Sequence, residues 1–316
     1  MKSIYVTDLT DGADLFNEPF LLADVVRRET KDGRPYLLST FRDRTGQMNG
    51  VFWDVPPDVE QSVKAGMVTL VTGRVRSYKN ALQITATDLN PFAAPDMSEF
   101  LPSSSRSADE MIAELRRFID ELAQPWRDLV AAILLEERFL TLFANAPAAR
   151  SMHHAYVGGL LEHTLSMAQI ARFLADHYPY VDKSLLVAGA LLHDLGKALE
   201  YETTASFEFT DDGRLVGHIV RATIIIELTA DKLANVSEEE RRQLVHLVAS
   251  HHGSLEWGAP VVPKTLEAIL LHQVDLLDSR VQGFFDHLRN DDGQDTWTTR
   301  PSFMFNTELR RPNDFE

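Results

Sequence analysis

Two hydrophobic periods divide the chain. Between residues 20 and 90, apolar and polar side chains alternate in short runs: FLLADVVRRET, RPYLLSTFRD, GQMNGVFWDV, MVTLVTGRVRSY and ALQITATDL, broken at KDG, DRTG and YKN. A period of two with Gly-, Asp- and Asn-bearing breaks predicts half-buried strands joined by tight turns. From Glu110 the apolar spacing becomes three and four, the helical repeat, in MIAELRRFIDEL, WRDLVAAILLEERFLTLF, GLLEHTLSMAQIARFLADHY and SLLVAGALLHDLGKAL. A hairpin-like interruption at FEFTDDGRLVGH precedes three more helices near 219–235, 238–251 and 264–289. Between the two regimes, PFAAPDMSEFLPSSSRSADE (91–110) reads as a linker, with Ser107 as N-cap and Glu110 as its capping-box partner. After Asn290 a polar tail carries Trp297, Phe303 and Phe305 for packing.

Five short strands suit a small closed barrel, which leaves no exposed edge, and the OB-fold is the barrel of that size. The expected class is multidomain α+β: an N-terminal OB-fold over 1–92, a linker over 93–109, an all-α bundle with a short β-hairpin over 110–290, and a tail over 291–316. A chain of 316 residues is long enough for two such cores.

Composition narrows the chemistry. There is no cysteine, so disulfides and thiolate metal sites are excluded, and any metal must be held by His and carboxylate. No run of about 18 apolar residues occurs. The start, MKSIYVTDLT, lacks the basic and apolar regions of a secretory signal, so a cytoplasmic location without membrane contact is expected. The net charge of −16 argues against nucleic-acid binding over the whole surface. Residues 24–88 reverse that sign, however, with 10 basic against 8 acidic residues, which leaves the N-terminal part open to such a role.

The stretch ALLHDLGKALEY (190–201) sets a polar pair, His193 and Asp194, inside an apolar run. Burying both costs free energy unless each has a strong partner. Other His and Asp residues lie at apolar helices or their ends: His163, His218, His251, His252 and Asp275. Any one alone is an ordinary core residue. An adjacent His-Asp pair changes the reading, because a carboxylate with two oxygens can bridge two cations that also take His ligands. Imidazole and carboxylate together suit Mn, Fe, Co, Ni or Zn, with Mg also open. Lys197, four residues after His193, would project from the same helical face and could hold a phosphate as a point charge, or simply cap the helix dipole.

The order His163, His193-Asp194, His218, His251, Asp275 resembles the HD superfamily of metal-dependent phosphohydrolases in its six-ligand form. HHAYVGGLLEHTLSMAQ, AGALLHDLGKALEY, GRLVGHI, SHHGSLEWGAP and PKTLEAILLHQVDLLDS further resemble the YhaM-type 3′→5′ exoribonucleases, over roughly residues 15–290. That resemblance implies an OB-fold followed by an HD domain. It further implies that His163, His193, Asp194 and Asp275 hold one ion, and that Asp194 bridges to a second held by His218 and His251. It implies divalent metal, Mn first. His252 either ligates or faces the substrate. Asp278, the fallback for Asp275, is read as a surface carboxylate, and His272 as an orienter. For His153 and His154, a place near the nucleotide and a packing role both stay open.

HD sites act on several phosphate esters, and the barrel points to a strand as substrate. OB-folds hold single strands with cations and stacking aromatics. Candidates are Tyr36, Phe41, Phe52, Trp53, Arg74, Arg76, Tyr78 and Lys79; Phe52 and Trp53 are adjacent in a strand, so at most one should be exposed. The expected activity is metal-dependent 3′→5′ exonuclease action on single-stranded RNA, and on single-stranded DNA, releasing nucleoside 5′-monophosphates. Asp194, Lys197 and His252 are the catalytic candidates. The direction and product are implied by the resemblance. Two alternatives remain: a small-nucleotide phosphohydrolase with a regulatory or oligomerisation barrel, and a nucleic-acid binder with a structural HD domain. Self-association is left open.

Overall fold

The computed structural model describes residues 2–79, 81–93, 97–150, 154–203, 206–291, 293 and 295–312. Asn80 of the YKN turn and His153 lie outside the described residues. The chain divides into two compact units, Met1–Ser103 with Thr203–Glu208, and Ser104–Glu202 with Phe209–Glu316.

The first unit is the expected barrel. Strands β1 (Asp14–Glu29), β2 (Pro35–Asp43), β3 (Gly46–Trp53), β4 (Val68–Tyr78) and β5 (Ala81–Pro91) close in the order β1-β2-β3-β5-β4. A short helix, α1 (Pro57–Ser62), joins β3 to β4. β1 starts before the alternating run and is long because it serves two partners: its N-terminal half pairs with β4 and its C-terminal half with β2. Closure comes from the parallel pairing of β3 with β5. Inward positions supply the core, among them Phe20, Leu22, Phe41, Phe52, Val71, Val75 and Ile84.

The barrel also buries an ionic cluster. The Lys2 ammonium donates to the Pro19 carbonyl at 2.7 Å and lies 3.3 Å from Asp43 and 4.0 Å from Glu18. Asp43 further accepts from the Val6 and Thr45 amides and the Thr45 hydroxyl; Glu18 accepts from the Ser3 and Ile4 amides. Burial lowers the Lys2 pKa, opposed by Asp43. Phe100 and Leu101, within the stretch expected as linker, are fully buried. They follow a 3-10 turn, Met97–Glu99, whose Glu99 carbonyl accepts from the Arg44 amide.

The second unit is helical: α2 (Ala108–Asp120), α3 (Trp126–Leu134), α4 (Glu137–Asn145), α5 (Gly159–His177), α6 (Lys183–Leu192), α7 (Lys197–Glu200), α8 (Asp211–Leu215), α9 (His218–Ala230), α10 (Glu238–Ser250) and α11 (Leu266–Arg289). The hairpin of β6 (Tyr201–Thr203) and β7 (Phe207–Phe209) falls at the division, with Thr203, Phe207 and Glu208 counted in the first unit. α6 is central. Its residues 185–192 are all buried, and it packs on α3, α5, α10 and α11. A helix apolar on every side has no solvent face to keep, which explains its composition.

Local chemistry corrects three expectations. Ser107 stands at the N-cap of α2, but its side chain accepts no capping bond, so the box with Glu110 does not form. The working box lies at α10, where Ser237 and Glu240 bond reciprocally. The run 126–143 is two helices, because the Glu136 carboxylate caps a new start by accepting from the Arg138 and Phe139 amides. The tail is held around Asp291, which accepts from Gly293, Thr299 and Arg311; of its aromatics Phe305 meets Phe284 edge-on at 5.6 Å, but Trp297 and Phe303 are exposed and not packed.

Candidate metal centre

The apolar helix does not carry the His-Asp pair within it. α6 ends at Leu192; His193 and Asp194 sit in the turn that follows, and Lys197 opens α7. Lys197 therefore does not project beside His193 from one helix. Its ammonium reaches back to Asp194 Oδ2 at 2.6 Å. Gly196 permits this turn: a Cβ there would lie 2.1 Å from the His218 carbonyl oxygen, so the start of α9 passes where no side chain fits. The approach brings His218 to Asp194.

α5, the 193–196 turn, the start of α9, the end of α10 and the middle of α11 converge. His163 Nε2 lies 3.3 Å from His193 Nε2, 3.4 Å from Asp275 Oδ1 and 3.7 Å from Asp194 Oδ2. His193 Nε2 lies 3.2 Å from that same Asp194 oxygen. On the other side, Asp194 Oδ1 faces His218 Nε2 and His251 Nε2, each at 3.5 Å. Asp194 thus presents one oxygen to each of two donor sets. The ring nitrogens of His218, His251 and His252 also come within 4.8 Å of one another.

Each ring is oriented by its other nitrogen. Nδ1–H donates from His193 to the Ala190 carbonyl (2.9 Å), from His251 to the Val248 carbonyl (2.7 Å), and from His252 to the Trp257 carbonyl (2.8 Å). His218 Nδ1–H faces Glu200 Oε1 at 3.1 Å, and His163 Nδ1–H donates to Asp278 Oδ2 at 2.7 Å. In a neutral ring a proton on Nδ1 leaves Nε2 a bare lone pair, so each of the five rings, when neutral, turns that lone pair inward.

Asp194 Oδ1, His218 Nε2 and His251 Nε2 are buried with no hydrogen-bond partner among the described residues. Three acceptors facing one another at such distances repel, and each unsatisfied buried group costs about 1–3 kcal/mol. A cation is the partner that satisfies all three at once. The residues therefore fit a divalent metal, and this answers why polar groups stand in so apolar a setting.

Electrostatics follow the same division. Burial opposes charge on His163, but Asp275 and Asp278 outweigh it and raise the pKa to about 9. Burial lowers His251 to about 4, so that ring is neutral at pH 7 despite Asp194. Burial also opposes ionisation of Asp194, yet Lys197 and His193 hold it well below the usual carboxylate range. Burial disfavours charge on Lys197, but Asp194 raises its pKa, so it remains an ammonium.

Asp278 is no surface carboxylate. Half-buried, it accepts from His163 and from the Ser166 hydroxyl, and His154 Nε2 lies 3.3 Å away. Three groups were invisible to periodicity: Ser166, Glu200 and Tyr156. The Tyr156 hydroxyl meets His154 Nδ1 at 2.7 Å and donates to Glu162. His272 bonds the His251 carbonyl at 2.8 Å, orienting the backbone of that turn and not a ring. Its ring fills the space beneath Gly253 (φ +80°), where a Cβ would lie 2.2 Å from it.

In the barrel, Phe41 and Phe52 are core residues and Trp53 is half exposed, its ring tilted by 33° against Tyr36 with centroids 4.7 Å apart. Arg74, Arg76, Tyr78 and Lys79 are all exposed near the β4–β5 turn; Arg74 pairs with Asp14 at 3.5 Å and Lys79 lies over the Tyr78 ring. A separate groove of about 350 Å³ on β1, β2, β3 and β5 is lined by Asp24, Arg28, Leu38, Asn49 and Gln83 among others.

Residues 160–280 match the HD domain family model, and residues 21–92 match the model of an OB-fold nucleic acid binding domain. The chain therefore joins an OB-fold to an HD domain. An HD domain indicates a metal-dependent phosphohydrolase, here on one chain with a barrel similar to nucleic-acid-binding OB-folds. Residues 104–181 also match a helicase family model, TraI_2. Among solved structures, the second OB-fold domain of replication protein A from Methanococcus maripaludis is 21% identical, with a TM-score of 0.24, covering 30% of this chain and 98% of that one. PriB from Ralstonia solanacearum is 16% identical, with a TM-score of 0.22, covering 27% of this chain and all of that one. No helix among the described residues is long and apolar enough to cross a membrane.

Proposed function

We propose that the chain is a metal-dependent 3′→5′ exonuclease that shortens single-stranded RNA, and single-stranded DNA, to nucleoside 5′-monophosphates. The observation that carries the reading is Asp194, whose two oxygens face two separate His sets. His163, His193, Asp194 and Asp275 form one ligand set; Asp194, His218 and His251 form the other, with His252 beside them. Divalent ions held there, Mn first, would supply Lewis acidity and a lowered pKa for a bound water, the chemistry that phosphodiester hydrolysis needs. The chain's own part is orientation. Asp278 and Glu200 fix the His163 and His218 rings, while Ala190, Val248 and Trp257 carbonyls fix His193, His251 and His252. Lys197 keeps a cation beside Asp194, where a scissile phosphate is drawn in. Exposed Trp53 and Tyr78, half-buried Tyr36 and the cations Arg74, Arg76 and Lys79 are the strand-binding candidates. A tethered barrel raises the local concentration of a strand end.

Direction of attack and product rest on the YhaM-type resemblance. The test is a time course on 5′- and 3′-labelled single-stranded RNA with Mn²⁺ or chelator. A metal-dependent ladder from the 3′ end, with the 3′ label released at once as mononucleotide, is expected. Intact RNA beside hydrolysed free nucleotides would replace this reading with a small-molecule phosphohydrolase.

A further inference from the structure

The segment SHHGSLEWGAP contributes His251 and His252 to the centre, but its Leu255 and Trp257 have no role so far. After His252 the chain turns through Gly253 into a short 3-10 turn, Leu255–Trp257, closed by the Trp257 amide donating to the Ser254 carbonyl. This turn folds back on the centre. The Trp257 carbonyl accepts from His252 Nδ1–H at 2.8 Å, and the indole lies against the His272 ring with centroids 6.0 Å apart. His272 is in turn bonded to the His251 backbone. Trp257 is therefore held at two points to the residues that carry the second donor set. Yet 55% of it is exposed, and Leu255 beside it is 65% exposed. The hydrogen bond fixes the Trp257 backbone, the His272 ring lies beside the indole, and the exposed part of that indole adds nothing to the core.

We propose that Trp257, edged by Leu255, is the stacking platform for the base of the terminal nucleotide whose phosphate is held at the Asp194 centre. The assignment rests on the phosphodiester reading above and adds what that reading lacks: a reason for the site to prefer a nucleotide with a base over a bare sugar phosphate. Stacking is sequence-tolerant because every base has a π-face, which suits an enzyme removing each residue in turn.

The test compares wild type, Trp257→Ala and Trp257→Phe in two measurements. Calorimetry with Mn²⁺ follows binding of adenosine 5′-monophosphate and ribose 5-phosphate. Kinetics follow single-stranded RNA ending in a normal or an abasic 3′ nucleotide. Wild type should favour the base-bearing ligand and terminus. The Ala variant should lose roughly tenfold or more on these alone, and Phe should restore most of the loss. Equal losses with and without a base, or no loss, would overturn the platform. The two readings fail separately. Strand cleavage that Trp257→Ala affects equally at both termini refutes the platform and leaves the exonuclease. Absence of strand cleavage with Trp257-dependent binding of the monophosphate refutes the exonuclease and keeps the platform.

Discussion

Two buried polar clusters invite comparison. In the barrel, Lys2, Asp43 and Glu18 satisfy one another and the neighbouring backbone, so the cluster is closed. In the helical unit, Asp194, His218 and His251 keep buried atoms without hydrogen-bond partners among the described residues. Both clusters cost desolvation, but only the first recovers it within the chain. A closed cluster is architecture; an open one, with its lone pairs held inward by other hydrogen bonds, is prepared for something that binds.

Asp194→Asn should separate them most sharply. It keeps the shape but removes the charge both donor sets share, and hydrolysis should fall at least about 1,000-fold, a loss of roughly 4 kcal/mol of transition-state stabilisation. Circular dichroism of the chelator-treated variant should show an intact fold. Lys2→Met makes the opposite case. It leaves Asp43 buried without its cation, costing about 3–5 kcal/mol in denaturant unfolding of the barrel, while metal binding in the helical unit is unaltered.

The open cluster should also reveal itself through pH. In chelator-treated protein the raised His163 pKa contributes stability that is fully present below about pH 6.5 and is lost as pH rises through about 9. Melting curves should therefore decline across that window. Mn²⁺ must displace the His163 proton, so its affinity should rise over the same window, and a parallel decline in affinity would contradict the assignment. Removing an orienting group should cost less: Asp278→Asn or Glu200→Gln should weaken metal binding about 10–100-fold by calorimetry. An effect of similar size, on a different readout, belongs to Trp53→Ala, which should weaken single-strand binding by about 1–3 kcal/mol in a filter assay.

The alternating runs marked five strands because a barrel has an inside and an outside, and period two records that directly. The His and Asp residues later found together were legible as residue types in apolar surroundings. Their partners were not. Glu200 and Ser166 act through contacts set by how helices meet, and nothing in their own sequence neighbourhood distinguishes them from solvated residues. Asp278 was misread for the same reason: one turn beyond Asp275 it could face water or His163, and the packing of α11 on α5 decides. The end of α6 depended on Gly196, whose need for space comes from His218 passing 22 residues later.

The central claim is that Asp194 joins two metal sites. It is tested most directly by counting bound Mn²⁺ per chain, by mass spectrometry of chelator-stripped, reloaded protein. Two ions are predicted for the wild type and one for the His218→Ala/His251→Ala double variant, with helicity retained in both. A single ion in the wild type, unchanged in the variant, would contradict the claim.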